Sequence, residues 1–133
     1  MKRTRYLLDT SICVFLMRGK FNLYRKLEEI GLRNCCISEI TVAELLFGAV
    51  WSGDPDNLNL TKNFCKEFEV IPIYGSLMDY ANQKSSLRSQ GLTVDDFDLL
   101  IGCSAMANNL TLVTDNVKHF NHLPIRIENW VKR

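Results

Sequence analysis

An α/β domain with helices on both faces of a short, mostly parallel sheet is the fold that this sequence predicts. Short apolar runs alternate along the chain with longer segments of helical character. The composition, 47% hydrophobic and 23% charged, is that of an ordinary globular protein and excludes a disordered chain. At 133 residues the chain fits one domain, 1–133, which can bury roughly two thirds of its unfolded surface.

Five apolar runs bounded by turn residues predict the strands. They lie at Tyr6–Leu8, 35–37, 69–73, Thr111–Val113 and 125–127. In a parallel α/β sheet the ligand site lies outside the carboxyl ends of the strands. Asp9 directly follows the first strand, so we expect it at that edge.

Six helices are expected between these strands. The first takes Thr10 or Ser11 as its cap and ends near Gly19, because hydroxyl residues favour the start of a helix and glycine its end. The others are predicted at 22–30, 40–51, 58–68, 77–89 and 95–108.

Two of these helices carry further expectations. The segment 40–51 is apolar on nearly every face, which predicts a helix packed on two sides, and residues 53–55 (Gly-Asp-Pro) should end it. The last helix opens with Thr93 and has Asp95 and Asp96 in its first turn, where the helix dipole favours negative charge.

Charge, cysteine content and hydropathy exclude several classes of protein. A net charge of +1 gives no whole-surface attraction to nucleic acid, so any such binding must be local. Five cysteines, with Cys35 and Cys36 adjacent, fit neither a disulfide framework nor a C-x-x-C zinc pattern, and we expect a reducing, cytoplasmic setting. Asp9 interrupts the first apolar run, and no stretch approaches the roughly 20 apolar residues of a membrane span. We expect neither a signal peptide nor a membrane partner.

Four acidic residues stand where the sequence otherwise builds a core. Asp9 ends the first strand, Glu44 is the only ionisable residue in the helix at 40–51, Asp98 precedes an apolar helical run, and Asp115 follows the fourth strand and Thr114. A buried carboxylate must be paired, protonated or bound to a cation. Clustered carboxylates raise each other's pKa unless a cation lies among them, so the pattern predicts a divalent ion. Oxygen ligands suit Mg²⁺ or Mn²⁺.

Each of the four also has a simpler explanation. Asp9 can equally cap the first helix, Glu44 can face solvent, and Asp98 can complement the dipole of its helix. Asp115 can form a strand-to-turn Asx motif. Gly102 sets Asp98 apart, because a glycine inside a helix costs about 1 kcal/mol against alanine and indicates a close approach on that face.

Three other chemistries are disfavoured. His119 and His122 are spaced as H-x-x-H, but no third zinc ligand is in view, so we expect a surface loop there. An aspartyl-phosphate phosphatase needs a second aspartate two residues after the first, where this chain has Ser11. The phosphate-binding run G-x-x-x-x-G-K-[ST] is absent. The chemistry that remains is hydrolysis by a water molecule bound to the metal ion.

Five segments, in this order and spacing, resemble the PIN-domain ribonuclease toxins of the VapC type: YLLDTS, ISEITVAELLFGA, FEVIPI, DFDLLIGCSAMANNLTLVTDNVKHF and IRIENW. The resemblance implies a three-layer α/β/α sandwich around a short parallel sheet. It also implies a small Mg²⁺- or Mn²⁺-dependent endoribonuclease that forms dimers and is neutralised by a co-expressed antitoxin. Some relatives cut transfer RNA in the anticodon loop, so a transfer RNA or another RNA with an accessible loop is the expected substrate.

The resemblance also assigns residues. It implies that Asp9, Glu44 and Asp98 hold the metal, and that Asp115 is a candidate for the fourth catalytic acid. Some relatives place that acid where Asn116 stands here, which makes Asn116 a polar helper.

Thr10 and Ser11 are expected to orient Asp9 or bound water, although the helix-cap interpretation serves equally well. The alternative from another class is a catalytically inactive PIN domain that binds RNA or a protein without cutting, because a fold does not determine a function.

Overall fold

The computed structural model describes residues 3–133 and contains one sheet of five parallel strands. The strands are β1 (Tyr6–Leu8), β2 (Cys35–Ser38), β3 (Glu69–Ile71), β4 (Thr111–Val113) and β5 (Ile127–Glu128), in the order β3-β2-β1-β4-β5. Six helices surround it: α1 (Thr10–Met17), α2 (Leu23–Ile30), α3 (Glu39–Ser52), α4 (Pro55–Lys66), α5 (Leu77–Ser89) and α6 (Asp96–Ala107). The predicted α/β fold with a parallel sheet is confirmed.

The helices form a layer on each face of the sheet. Successive strand residues point to opposite faces, so the fully buried Leu7 packs in one core with residues of α5 and α6. Its neighbour Leu8 packs in the other core with residues of α1, α2 and α4. Helix α3 contributes to both cores, through Ile40 on one side and Leu45 on the other. The three-layer α/β/α sandwich is therefore confirmed.

The strand order reverses between β1 and β4. Strands β2 and β3 lie on one side of β1, and β4 and β5 lie on the other side. In parallel α/β sheets, ligands bind at such a reversal, outside the carboxyl ends of the strands. Asp9 and Thr114 follow these two strands, and the amide of Asp9 donates to the carbonyl of Val113 at 3.0 Å.

Cap residues move two helix starts from their predicted places. Asp9, rather than Thr10 or Ser11, caps α1, because its carboxylate accepts the amide of Ile12. Gly53 ends α3 as predicted, with φ of +72°, but Asp54 and Pro55 begin α4 instead of only closing α3. Aspartate at the cap followed by proline at the first helical position is a favoured helix start.

Hydrogen bonds explain the other boundary differences. Helix α6 starts at Asp96 because Asp95 caps it, and Thr93 lies outside the helix. The strand predicted at 69–73 stops earlier because the amide of Ile73 donates to the carboxylate of Glu39. The strand predicted at 125–127 begins later because the amide of Ile125 is used in a turn.

Helix α3 is more exposed than its sequence predicts. Phe47 and Trp51 are 69% and 81% exposed and stack on each other, with ring centroids 6.3 Å apart. Helix α3 does pack on two sides, through Ile40 and Leu45, but its third, apolar face is exposed. All five cysteines are free and buried, as expected for apolar positions. No helix within residues 3–133 is long and apolar enough to cross a membrane.

Candidate metal-binding and catalytic site

Asp9 is a buried carboxylate whose hydrogen-bond donors are all uncharged. Its side chain accepts the amide of Ile12 at 2.9 Å and the hydroxyl of Ser11 at 2.7 Å on Oδ1, and the hydroxyl of Thr114 on Oδ2. Burial raises the pKa of Asp9, the three hydrogen bonds lower it, and the charge of Asp98 raises it further. Asp9 thus caps α1, and no described lysine or arginine pairs with its carboxylate.

Glu44 lies on the face of α3 that meets α1. The hydroxyl of Thr10 donates to its Oε1 at 2.7 Å, and Thr10 is also 3.0 Å from the hydroxyl of Thr41. Burial is the main cause that raises the pKa of Glu44, and the charges of Asp98, Asp95 and Asp9 raise it further. Glu44 is half-buried, so only part of its side chain faces solvent.

Asp98 stands in the first turn of α6, where its amide donates to the capping carboxylate of Asp95 at 3.1 Å. Its Oδ2 is 3.1 Å from Nδ1 of His119. Burial raises the pKa of Asp98, the contact with His119 lowers it, and the charge of Asp95 raises it. Because Asp98 in turn raises the pKa of Asp9 and of Glu44, the three carboxylates form one electrostatic cluster.

Gly102 explains how the segment after β4 comes to lie against α6. A Cβ atom on Gly102 would meet Cδ1 of Leu123 at 2.3 Å and Cδ1 of Phe120 at 3.3 Å. The close approach expected from this glycine is confirmed. Gly102 lies one turn after Asp98 on the same face of the helix, and the two residues that pack beside it, Phe120 and Leu123, follow the turn that carries His119.

Asp115 pairs with Arg133 and does not join the other three acids. Its two carboxylate oxygens accept the guanidinium of Arg133 at 2.9 and 2.7 Å, and Asn129 donates to it at 3.2 Å. Arg133 holds the pKa of Asp115 below its ordinary value. The charges that raise the pKa values of the other three acids do not include Asp115. Three of the four predicted acids thus lie close enough for their charges to influence one another, and Asp115 is not among them. The backbone amide of Asn116 donates to Thr114 rather than to an acid.

The supporting residues differ in part from those expected. Ser11 contacts Asp9 as predicted, but Thr10 contacts Glu44. Thr114 and Thr41 were not identified from the sequence. His119 lies in an exposed turn, as expected of a surface loop, but its ring also contacts Asp98. The position of Thr114 directly after β4, at the same edge as Asp9, is the one signal that could have identified a supporting residue.

The donor chemistry of the cluster fits a hard divalent cation. Among the described residues, no lysine or arginine pairs with Asp9, Glu44 or Asp98. In the same part of the chain, Oε2 of Glu44 and Oδ1 of Asp98 have no hydrogen-bond partner. No three acidic, histidine or cysteine side chains within 3–133 are already spaced to hold a metal. An ion would have to draw the carboxylates together, and its charge would offset their mutual repulsion.

Comparison with known proteins agrees with this geometry. A family model described as PIN domain matches residues 6–125. The tRNA(fMet)-specific endonuclease VapC of Salmonella typhimurium is 32% identical over 129 residues, covering 95% of this chain and 98% of the relative. Ribonuclease VapC2 of Rickettsia felis is 35% identical over 132 residues, covering 96% of this chain and 98% of the relative.

Solved structures show the same likeness. VapBC2 from Rickettsia felis, bound to a DNA fragment from its promoter, superimposes with a TM-score of 0.87 at 33% identity, covering 96% of this chain and 99% of that chain. DNA-bound VapBC from Salmonella typhimurium gives a TM-score of 0.87 at 31% identity, covering 96% and 98%. With its parallel sandwich and three gathered acids, this chain belongs to the PIN-domain family, among the ribonucleases of the VapC type.

Proposed function

We propose that this protein is an endoribonuclease toxin that hydrolyses RNA phosphodiesters with Mg²⁺ or Mn²⁺ and is neutralised by a cognate antitoxin. The observation that carries the proposal is the cluster of Asp9, Glu44 and Asp98, which share one electrostatic environment at the sheet reversal. No described lysine or arginine pairs with this cluster, and its one basic neighbour is the imidazole of His119 beside Asp98. The names of the relatives, ribonuclease and endonuclease, support hydrolysis of RNA.

In this mechanism Asp9, Glu44 and Asp98 hold the metal. When bound, the ion supplies a water of lowered pKa and neutralises charge on the phosphate. The protein contributes orientation, because each carboxylate has a side-chain donor: Ser11 and Thr114 for Asp9, Thr10 for Glu44 and His119 for Asp98.

No side chain serves as the nucleophile. The hydroxyls next to the cluster, on Thr10, Ser11 and Thr114, already donate to its carboxylates. The cysteine thiols are buried, and burial raises the pKa of Cys13, so a reactive thiolate is disfavoured.

A transfer RNA, or another structured RNA with an accessible loop, is the proposed substrate. Proteins read RNA sequence mainly where bases are unstacked, as they are in loops. The Salmonella relative is named as specific for tRNA(fMet), which makes a transfer RNA the first substrate to test. The free, buried thiols suit a reducing compartment, and we propose that the enzyme acts in the cytoplasm.

Two surfaces suit the proposed protein partners. A groove of about 430 Å³ between α1, α3 and α4 is lined by apolar side chains such as Met17, Leu60 and Phe64, and its lining includes Thr10 and Glu44. An antitoxin segment bound there would cover Glu44, and the solved relatives are VapBC complexes. The exposed aromatic pair of Phe47 and Trp51 suits a homodimer contact, because exposed apolar patches mark interaction surfaces.

The decisive test is cleavage of total cellular RNA by the antitoxin-free protein, with Mg²⁺, with Mn²⁺ and with a chelator. We expect discrete fragments with either ion and none with the chelator or with the variant Asp98→Asn. Sequencing the fragment ends would identify the target RNA. Retained cleavage by Asp98→Asn would contradict the assignment. RNA that is bound but never cut with either ion would favour the inactive binding module instead.

A further inference from the structure

We propose that His119 is a positioning residue that holds Asp98 in the orientation it needs to bind the metal. This inference rests on the proposed metal-dependent function and adds a residue to it. Nδ1 of His119 lies 3.1 Å from Oδ2 of Asp98, within hydrogen-bond distance. An ionised carboxylate only accepts, so Nδ1 carries the hydrogen and donates it to Oδ2. That contact leaves Oδ1 of Asp98 for the ion.

The position of His119 is fixed by packing behind it. His119 ends a single 3₁₀ turn, Val117–His119, and its amide donates to the carbonyl of Asn116 at 2.9 Å. The next residue, Phe120, is 1% exposed and packs beside Gly102 together with Leu123. Because Gly102 lies one turn after Asp98 on α6, the packing of Phe120 and Leu123 beside it also holds the turn that carries His119 close to Asp98.

His119 completes a pattern shared by the three proposed ligands. Ser11 and Thr114 donate to Asp9, and Thr10 donates to Glu44. Within residues 3–133 His119 is the side chain that does the same for Asp98. Donors of this kind orient metal-binding carboxylates, and their loss typically lowers metal affinity or activity by about 10- to 100-fold.

The contact could instead be an incidental surface pair. The side chain of His119 is 57% exposed and that of Asp98 is 28% exposed, and exposed pairs contribute little to stability. An incidental pair predicts no change in metal affinity when the imidazole is removed. A positioning role predicts that removal of the imidazole weakens metal binding. It also predicts that a side chain with an N–H donor at the position of Nδ1 restores the affinity.

The chain allows a matched set of substitutions at this position. His119→Asn keeps an amide N–H near the place of Nδ1, His119→Gln moves it to the place of Nε2, and His119→Ala removes it. Lys118→Ala is the control, because Lys118 is the exposed neighbour in the same turn. Far-ultraviolet circular dichroism and thermal midpoints establish that each variant is folded.

The experiment is a calorimetric titration of each antitoxin-free protein with Mn²⁺ alone, followed by kcat and KM for RNA cleavage at several Mn²⁺ concentrations. We expect His119→Ala and His119→Gln to bind Mn²⁺ about 10- to 100-fold more weakly than wild type. His119→Asn and Lys118→Ala should bind like wild type. Cleavage by His119→Ala should recover as Mn²⁺ is raised, with KM for RNA unchanged.

Two results overturn the inference while leaving the proposed function intact. The first is Mn²⁺ affinity in His119→Ala equal to that of wild type. The second is a loss of Mn²⁺ affinity in His119→Asn as large as that in His119→Ala, because a donor at the position of Nδ1 would then not be enough to hold Asp98 for the metal. A wild-type protein that neither binds Mn²⁺ nor cuts RNA overturns the proposed function, and the inference with it.

Discussion

Asp9 and Asp115 occupy similar places in the chain but different electrostatic environments. Each lies just beyond one of two neighbouring parallel strands, β1 and β4, at the carboxyl edge of the sheet. Asp9 accepts hydrogen bonds from uncharged donors, and burial raises its pKa. Asp115 accepts both arms of the Arg133 guanidinium, which lowers its pKa.

The difference shows that position after a strand does not decide which acid can bind an ion. What decides is whether a positively charged side chain already pairs with the acid. Arg133 already neutralises Asp115, whereas Asp9 shares its surroundings with Asp98 and Glu44 and with no described cation. A divalent ion therefore gains more from the cluster around Asp9 than from Asp115.

The largest expected effect separates the two acids by activity. Asp9→Asn should lower RNA cleavage at least about 100-fold, because it removes a proposed metal ligand, while Asp115→Asn should change the rate far less. Asparagine is also a favoured helix cap, so α1 should stay folded in Asp9→Asn. Initial rates with Mn²⁺ at matched protein concentration check this. Equal losses in the two variants would show that Asp115 belongs to the catalytic cluster.

The next effect concerns the residue that links the two strand ends. Thr114 donates to Asp9 and accepts the amide of Asn116, so Thr114→Val leaves a buried carboxylate oxygen without its donor. We expect a loss of about 2 kcal/mol in the free energy of unfolding, measured by urea denaturation. The exposed Thr93→Val is the matched control and should stay within about 0.5 kcal/mol of wild type. A Thr114→Val protein as stable as wild type would show that this hydroxyl does not support Asp9.

A smaller effect tests whether the segment after β4 is held by packing on α6. Gly102→Ala places a methyl group against Leu123 and Phe120, and overpacking outweighs the gain in helix propensity, for a net loss of about 1 kcal/mol. Gly48→Ala is the matched control on α3, where a Cβ meets nothing within 4 Å, and it should raise stability by up to about 1 kcal/mol. Urea denaturation of both variants measures the contrast. A Gly102→Ala protein more stable than wild type would mean that Leu123 and Phe120 leave room for a methyl group at this position.

The smallest effect is a pH dependence of opposite sign for the two acids in metal-free protein. The folded pKa of Asp115 lies below its ordinary value of 3.8, so its contribution to stability is present above that value and is lost as pH falls through the folded pKa. The folded pKa of Asp9 lies above 3.8, so stability is gained as pH falls through it and the gain is complete below 3.8.

Thermal midpoints in chelator, from about pH 7 to about pH 3, compare wild type with each asparagine variant. As pH falls, the thermal midpoint of wild type should rise relative to that of Asp9→Asn. At about pH 3 the thermal midpoint of wild type should no longer exceed that of Asp115→Asn. Parallel profiles for the two variants would contradict the difference between their environments.

The sequence was sufficient to predict the fold, and it singled out the three acids whose charges act on one another, together with Asp115, which pairs with Arg133 instead. The alternation of runs predicted the parallel sandwich, and acids in apolar surroundings led to Asp9, Glu44 and Asp98. Gly102 correctly indicated a close approach, because a helix tolerates glycine where a neighbour needs the space.

The rest depended on contacts between residues distant in the chain. Arg133 is 18 residues from Asp115, and His119 is 21 residues from Asp98, so no local pattern joins either pair. The exposed aromatic face of α3 was missed for another reason: its composition is that of a core helix, and composition does not show which face lacks a neighbour.

Anomalous diffraction from a crystal of the antitoxin-free protein soaked in Mn²⁺ would show which carboxylates bind the ion. We expect a manganese peak among the carboxylates of Asp9, Glu44 and Asp98, with His119 still donating to Asp98 and Asp115 still paired with Arg133. A peak on Asp115, or no peak at this edge of the sheet at saturating Mn²⁺, would contradict this expectation.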